Sequence, residues 1–181
     1  MPATNTAPQI NHDDLTLEEL FALAQDKSSE GRQTLFENMR DMFLDNGRSV
    51  SDRERALMSE ILRRLVHDVE KKLRKSLAEN LSKRSDTPHA LIVELANDEF
   101  EVAHPILIES NVLQDQDLIE TIKHRTMEHQ LAISMRKNLS EDVSEALVET
   151  GEQDVIANLL NNHGAKISRH VMDYLVSESK R

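Results

Sequence analysis

Apolar residues return along this chain at intervals that suit pairs of helices and little else. Anchors at Leu91, Leu118, Val143 and Val171 are separated by 27, 25 and 28 residues. Around them run segments with helical periodicity. Val69, Leu73, Leu77 and Leu81 form one seam; Val102, Ile106 and Leu107 another; Met127, Leu131 and Met135 a third; Val155, Ile156, Leu159 and Leu160 a fourth. A degenerate repeat of this length, with two helices per unit, is the mark of an α-solenoid. Such a unit has one apolar stripe for its partner helix and another for the next unit, so it is stabilised by stacking.

The expected fold is therefore all-α, a right-handed α-solenoid of HEAT/armadillo-like helix pairs, about five pairs plus a terminal helix. Residues 1–14 lack periodicity and read as a disordered tail; residues 15–181 read as a single HEAT-like domain. Four Gly and four Pro leave little material for hairpins, and aromatics at 3% mean a core of Leu, Ile, Val, Met and Ala. The Met residues at 39, 42, 58, 127, 135 and 172 read as core filling.

Local signals place the ends of the elements. Thr16–Glu19 and Ser51–Glu54 have capping-box spacing. The first box opens a helix with Leu17, Leu20, Phe21 and Ala24 on one face. A second helix carries Leu35, Phe36, Met39, Met42 and Phe43 and ends at Gly47. The third buries Leu57, Met58, Ile61, Leu62 and Leu65. A corner is expected near His67–Asp68, with Asp68 capping the next helix. Thr87–Pro88 reads as a cap followed by Pro in the first turn. Pro105 lies inside a helical pattern and should kink or shorten it. Ser140 caps the helix of Val143, Ala146 and Leu147, which Gly151 ends; Gly164 ends the following one. The last helix, with Ile167, Val171, Tyr174 and Leu175, has no second helix after it. It is either a cap or the point where a longer chain was cut.

The stretches Leu57–Glu70, Leu95–Leu107, His124–Ala132 and Leu147–Ile156 resemble a bacterial family of unknown function, DUF2336. The resemblance covers roughly residues 15–180. More distantly, Asp68-Val69 with Leu73 and Leu77 resembles the opening of the second helix of a HEAT repeat. The likeness implies a bacterial, cytoplasmic helical-repeat protein, and it brings no catalytic residues with it. Family members are commonly longer, and these units are shorter than typical HEAT repeats.

Charge is the strongest functional signal. Between Arg48 and Arg84, eleven cations stand against six acids, leaving this segment at +5 and the rest of the chain at −16 within a total of −11. Arg63, Arg64, His67, Lys71, Arg74 and Lys75 fall near one helix face, opposite the Leu seam. They are the candidate binding residues, a docking surface for an acidic segment, a phosphorylated partner or a phosphate-bearing ligand. The bland alternative is a solvated face balanced by acidic neighbours. The overall acidity argues against nucleic-acid binding.

Little else carries chemistry. The chain has no Cys, so thiol catalysis, disulfides and Cys-based zinc sites are excluded. Among eight His residues, His124 and His129 are five apart, which does not place both on one helix face; no metal and no cofactor is implied. His104, before Pro105, reads as a surface or cap residue. Asp115, Asp117, Glu141, Asp142, Glu152 and Asp154 start helices, where acids favour the dipole. They lack the partners of a catalytic carboxylate pair. Glu128-His129-Gln130 is polar within a helix and could form a binding surface. The N-terminus has no secretory signal, and the longest apolar run, Ala90–Ala96, is interrupted by Glu94 and too short for a membrane span.

The leading expectation is a non-enzymatic protein-binding adaptor or scaffold in the cytoplasm, contacting neither nucleic acid nor membrane. The alternative is a sensor that binds a nucleotide or other phosphate-bearing ligand through the basic stripe. A homodimer pairing basic with acidic surfaces is a further option.

Overall fold

The computed structural model describes residues 25–45 and 51–178. The expected tail, the Thr16–Glu19 capping box with its helix, and Gly47 lie outside the described residues. Among the described residues the regular elements are all helices, apart from one isolated parallel bridge between Leu139 and Ala165. The chain divides into two compact units, the boundary falling after Glu70.

The first unit contains α1 (Ser29–Leu44) and α2 (Asp52–Leu65), followed by a 3-10 turn, Val66–Asp68. Ser28 caps α1 by accepting from Gly31 N. At α2 the capping box forms in full: the Ser51 hydroxyl accepts from Glu54 N, and the Glu54 carboxylate accepts from Ser51 N. Leu35, Phe36, Met39 and Phe43 of α1 are buried, with Leu62 and Val66, and α1 packs on α2 and on the 3-10 turn. The Arg55 guanidinium lies 5.4 Å from the Phe43 ring centroid, a cation–π contact.

Two expectations are corrected here. Leu57 is 63% exposed. At about 100° per residue it stands nearly opposite the Ser59–Leu62–Val66 line that α2 buries. The corner falls where expected, but Asp68 does not cap the next helix. It closes the 3-10 turn and forms an ion pair with Arg32 at 2.7 Å.

The second unit contains α3 (Lys71–Leu81), α4 (His89–Ala96), α5 (Phe100–Glu109), α6 (Asp115–His124), α7 (Met127–Ser134), α8 (Glu141–Glu149), α9 (Gln153–Asn161) and α10 (Arg169–Glu178). Alternate helices are neighbours: α3 packs on α5, α5 on α7 and α7 on α9, while α6 packs on α8. Sequential helices also touch. The anchors fill the space between them; Leu77, Leu81, Leu91, Ile92, Leu95, Ile106, Leu107, Ile133 and Leu147 are fully buried. Burying a side chain of this size stabilises by about 1.5–3 kcal/mol.

Several boundaries differ from the sequence reading for identifiable reasons. Thr87 is buried with no hydrogen-bond partner for its hydroxyl among the described residues, and Pro88 rather than Thr87 stands at the N-cap position of α4. Nor does Pro105 end α5, which continues to Glu109. The missing N–H would have served the carbonyl of Glu101, an exposed residue that water can satisfy. Met127, Met135 and Met172 are 41–54% exposed rather than core. Met42 and Met58 are half-buried, and only Met39 of the six is buried.

Gly151 follows α8 with φ +74°, the left-handed conformation that suits Gly at a helix C-terminus. Gly164 has a different role. Helix α9 ends at Asn161, and Gly164 sits in the following turn, where a Cβ would collide with the Lys137 carbonyl.

Candidate functional site

The six stripe residues divide between the two units, Arg63, Arg64 and His67 in the first, Lys71, Arg74 and Lys75 in the second. Five of them face carboxylates of their own unit. Arg63 and Arg64 both reach Glu60, at 3.0 and 2.7 Å. These hydrogen bonds hold the Glu60 carboxyl down at about 2. Lys71 bridges Glu99 at 2.9 Å and Glu101 at 3.1 Å, which raises its own pKa and lowers that of Glu99; the Glu101 carboxyl is lowered first by its own backbone N–H and then by Lys71. Arg74 grips Asp98 with two hydrogen bonds, at 2.7 and 3.1 Å, and Glu99 with a third at 2.7 Å. Lys75 approaches Glu79 only to 3.9 Å across an exposed surface. His67 is exposed.

These partners explain the stripe's position. Asp98, Glu99 and Glu101 sit at the start of α5, next to α3 in the row. Acids suit that end of the helix dipole, and Lys71 and Arg74 tie one helix to the next but one. Exposed pairs such as Lys75–Glu79 contribute little. The Arg74–Asp98 pair is different, its side chains only 12% and 6% exposed.

The corner at Asp98 gathers more polar contacts. Its backbone carbonyl accepts from Arg125 Nη2 at 2.9 Å and lies 3.0 Å from His129 Nε2. Of the Glu128-His129-Gln130 segment that could have formed a binding surface, His129 is 1% exposed. Its Nδ1 lies 2.8 Å from the Thr126 hydroxyl, and its ring meets Phe100 edge-on at 5.7 Å. The neutral tautomer with the proton on Nε2 satisfies both ends, Nδ1 then accepting from Thr126. Burial lowers the pKa of His129, and Arg125 lowers it further against the opposing hydrogen bond to Asp98. His104 is exposed and packs edge-on against Phe100 at 5.2 Å. His124 pairs with Glu120 at 3.3 Å and His89 with Asp117 at 2.7 Å. No metal-binding group of three or more such side chains occurs among the described residues.

The same device recurs one repeat later. Arg136, 8% exposed, donates from Nη1 to the Leu107 carbonyl and from Nη2 to the Ser110 carbonyl at 2.7 Å. Its Nε has no hydrogen-bond partner among the described residues. Burial lowers its pKa, with Asp115 acting in the opposite direction. Beyond it, Asn162 Nδ2 donates to the carbonyls of Ser134 at 2.8 Å and Arg136 at 2.7 Å, while Asn162 Oδ1 accepts from Gly164 N. The loop 135–140 is held further by the Leu139–Ala165 bridge, in which Leu139 N donates to Gly164 O and Lys166 N to Leu139 O.

The described residues of the second unit line several concavities. A cavity of about 510 Å³ is lined by Lys83, Ile108, Glu109, Asn111 and the segment Met135–Asn138. A shallower groove of about 300 Å³ runs between α8 and α10, with Glu145, Glu149 and His170 beside Val148, Val171 and Tyr174. Between Glu141 and Asp154 the chain carries six acids and no Lys or Arg. None of these six forms an ion pair among the described residues. Tyr174 is 51% exposed.

Neither the cavity nor the groove was picked out from the sequence, although the cation-free run of acids was visible there. Arg136 gave no such signal, because its carbonyl partners belong to backbone 26 and 29 residues away. Among the described residues no helix is long and apolar enough to cross a membrane.

A family model matches residues 102–181: DUF2336, an uncharacterised protein conserved in bacteria. The resemblance noted in the sequence is shown over that stretch, from α5 to the end of the chain. No curated protein and no solved structure matches the chain.

Proposed function

We propose that this chain is a non-enzymatic scaffold, a right-handed α-solenoid of HEAT/armadillo-like pairs that binds another cytoplasmic protein through the α8–α10 groove. Support for the repeat reading comes from the alternate packing of α3, α5, α7 and α9 and from the buried corner donors that recur between them. The observation that carries the binding reading is the unpaired acidity of Glu141–Asp154 beside an exposed tyrosine and an apolar groove floor. Six like charges in fourteen residues repel one another unless something cationic covers them. An amphipathic basic helix, laying its apolar face in the groove and its Lys and Arg against Glu145 and Glu149, fits that chemistry. The stripe expected to dock an acidic partner is a weaker surface, because five of its six residues already face carboxylates.

The test is fluorescence anisotropy of the full chain with a labelled Lys/Leu amphipathic peptide and an acidic peptide of the same pattern. Glu145→Lys/Glu149→Lys and Arg63→Glu/Lys71→Glu/Lys75→Glu variants run in parallel. The expected result is saturable, salt-sensitive binding of the basic peptide, lost in the groove variant and retained in the stripe variant. Loss only in the stripe variant, or a preference for the acidic peptide, would overturn the groove assignment. Absence of binding to either peptide would overturn the scaffold reading as framed.

A further inference from the structure

The cavity at the C-terminal ends of α5 and α7 places positive charge where the chain supplies too little to balance it. Lys83, Arg136 and Lys137 line it against a single acid, Glu109, so the lining carries +2 in a chain of net charge −11. Glu109 is engaged with Lys83 at 3.3 Å. Lys137 has no ion-pair partner among the described residues. Arg136 is nine-tenths buried and meets no carboxylate at ion-pair distance among the described residues. A buried guanidinium without an anion is costly. The two carbonyls it caps, at the end of α5, offer it only the partial negative charge of a helix terminus, about half an elementary charge.

We propose that this cavity binds a phosphorylated, hydroxyl-rich small molecule, its phosphate lying against Lys83, Lys137 and Arg136. The rest of the lining defines the ligand's body. The volume, about 510 Å³, falls within the range of small-molecule sites, about 300–1,000 Å³, and is far larger than a bare phosphate needs. Asn111 and Asn138 present amides suited to hydroxyl groups, and Ile108 and Met135 give the apolar edge on which a carbon skeleton rests. Among the described residues no aromatic side chain lines the cavity, so a nucleobase has nothing there to stack on. A polyol or sugar phosphate fits better than a nucleotide.

The wall that carries the charges is held in advance. The Leu139–Ala165 bridge, the two Asn162 hydrogen bonds and the approach of Gly164 to the Lys137 backbone fix the 135–140 loop from behind. A ligand would not have to order this segment on arrival, a cost that otherwise subtracts from affinity. This site is separate from the α8–α10 groove, and it stands or falls independently of the scaffold reading.

The test measures thermal unfolding of the full chain titrated with glucose 6-phosphate, ribose 5-phosphate and glycerol 3-phosphate. Glucose, sulfate and AMP serve as comparisons. The expected result is a saturable rise in Tm with at least one polyol phosphate, absent with glucose and at least tenfold weaker with sulfate and AMP. Lys83→Glu/Lys137→Glu should lose the rise, and the milder Lys83→Gln/Lys137→Gln should weaken it at least tenfold. Both changes fall on exposed side chains, and the Tm without ligand checks that the variants fold. No saturable rise with any of the three phosphates, or a rise undiminished in both variants, overturns the proposal. Equal response to sulfate reduces the site to adventitious anion binding, and a stronger response to AMP overturns the polyol assignment.

Discussion

Replacing Gly164 with Ala probes the contact that locks two successive turns of the second unit. A Cβ at this position would lie 2.7 Å from the Lys137 carbonyl carbon and closer still to its oxygen. Ordinary contact begins at about 3.4 Å, so the two loops must separate by well over 1 Å to clear the oxygen. The bridge hydrogen bonds, 3.2 Å from Leu139 N to Gly164 O and 3.0 Å from Lys166 N to Leu139 O, do not survive such a shift. The Asn162 bonds to Ser134 O and Arg136 O come from the same turn and are strained with them. At about 1 kcal/mol net for each hydrogen bond, two to four weakened bonds cost about 2–4 kcal/mol. The stiffer unfolded chain returns about 0.4–1 kcal/mol. The expected loss is about 1–3.5 kcal/mol in urea unfolding followed by circular dichroism. Gly151→Ala is the control. It meets nothing within 4 Å and suffers only from its φ of +74°, worth about 1–2 kcal/mol. A Gly164→Ala loss below that of Gly151→Ala would show that the loops yield freely and that the close approach is not a constraint.

His129 makes acid sensitivity measurable. Its folded pKa is lowered, chiefly by burial, so the unfolded chain binds the proton more readily, and stability should fall as the pH drops through the ordinary histidine value of about 6.5. His129→Gln should flatten the change in urea midpoint between pH 7.5 and 5.5. A slope unchanged by the substitution would assign it to other groups. The Arg74–Asp98 pair should behave as a largely buried bridge: Asp98→Ala removes two of the hydrogen bonds to a guanidinium that is 12% exposed, leaving it Glu99, and costs about 2 kcal/mol, whereas Lys75→Ala leaves the midpoint in place. Equal effects of the two substitutions would refute the distinction.

The apolar frame was legible because burial imposes a period that any reader can count. Leu91, Leu118, Val143 and Val171 are all buried, and the Ser51 and Ser140 caps form as their spacing requires. Exposure at the margins was not legible. Leu57 and Met135 satisfy the helical pattern yet lie outside the faces that neighbours cover, since the pattern records which residues could be buried and packing decides which are. The stripe was legible as charge but not as structure. Lys71 and Arg74 find their acids 24 to 30 residues ahead, at the start of the next helix in the row, and a chain with thirty-three acids offers many such pairings on paper.

The polar corners were hidden for a deeper reason. At each one a side chain from one repeat reaches a backbone carbonyl of the repeat before it: Arg125 and His129 to Asp98, Arg136 to Leu107 and Ser110, Asn162 to Ser134 and Arg136. The separations stay between 26 and 31 residues while the donor changes from Arg to His to Asn. A carbonyl accepts equally from any of these, so nothing constrains the donor's identity beyond its reach. Apolar anchors are held to size and shape by close packing, and they keep a repeat that the corners lose. The drift also has a consequence for binding. Where the corner donor is Asn162 it brings no charge, and where it is Arg125 the acids of the Asp98 corner stand nearby. At Arg136 the charge came without an acid to meet it, which is why the cavity beside that corner is the one assigned an anion.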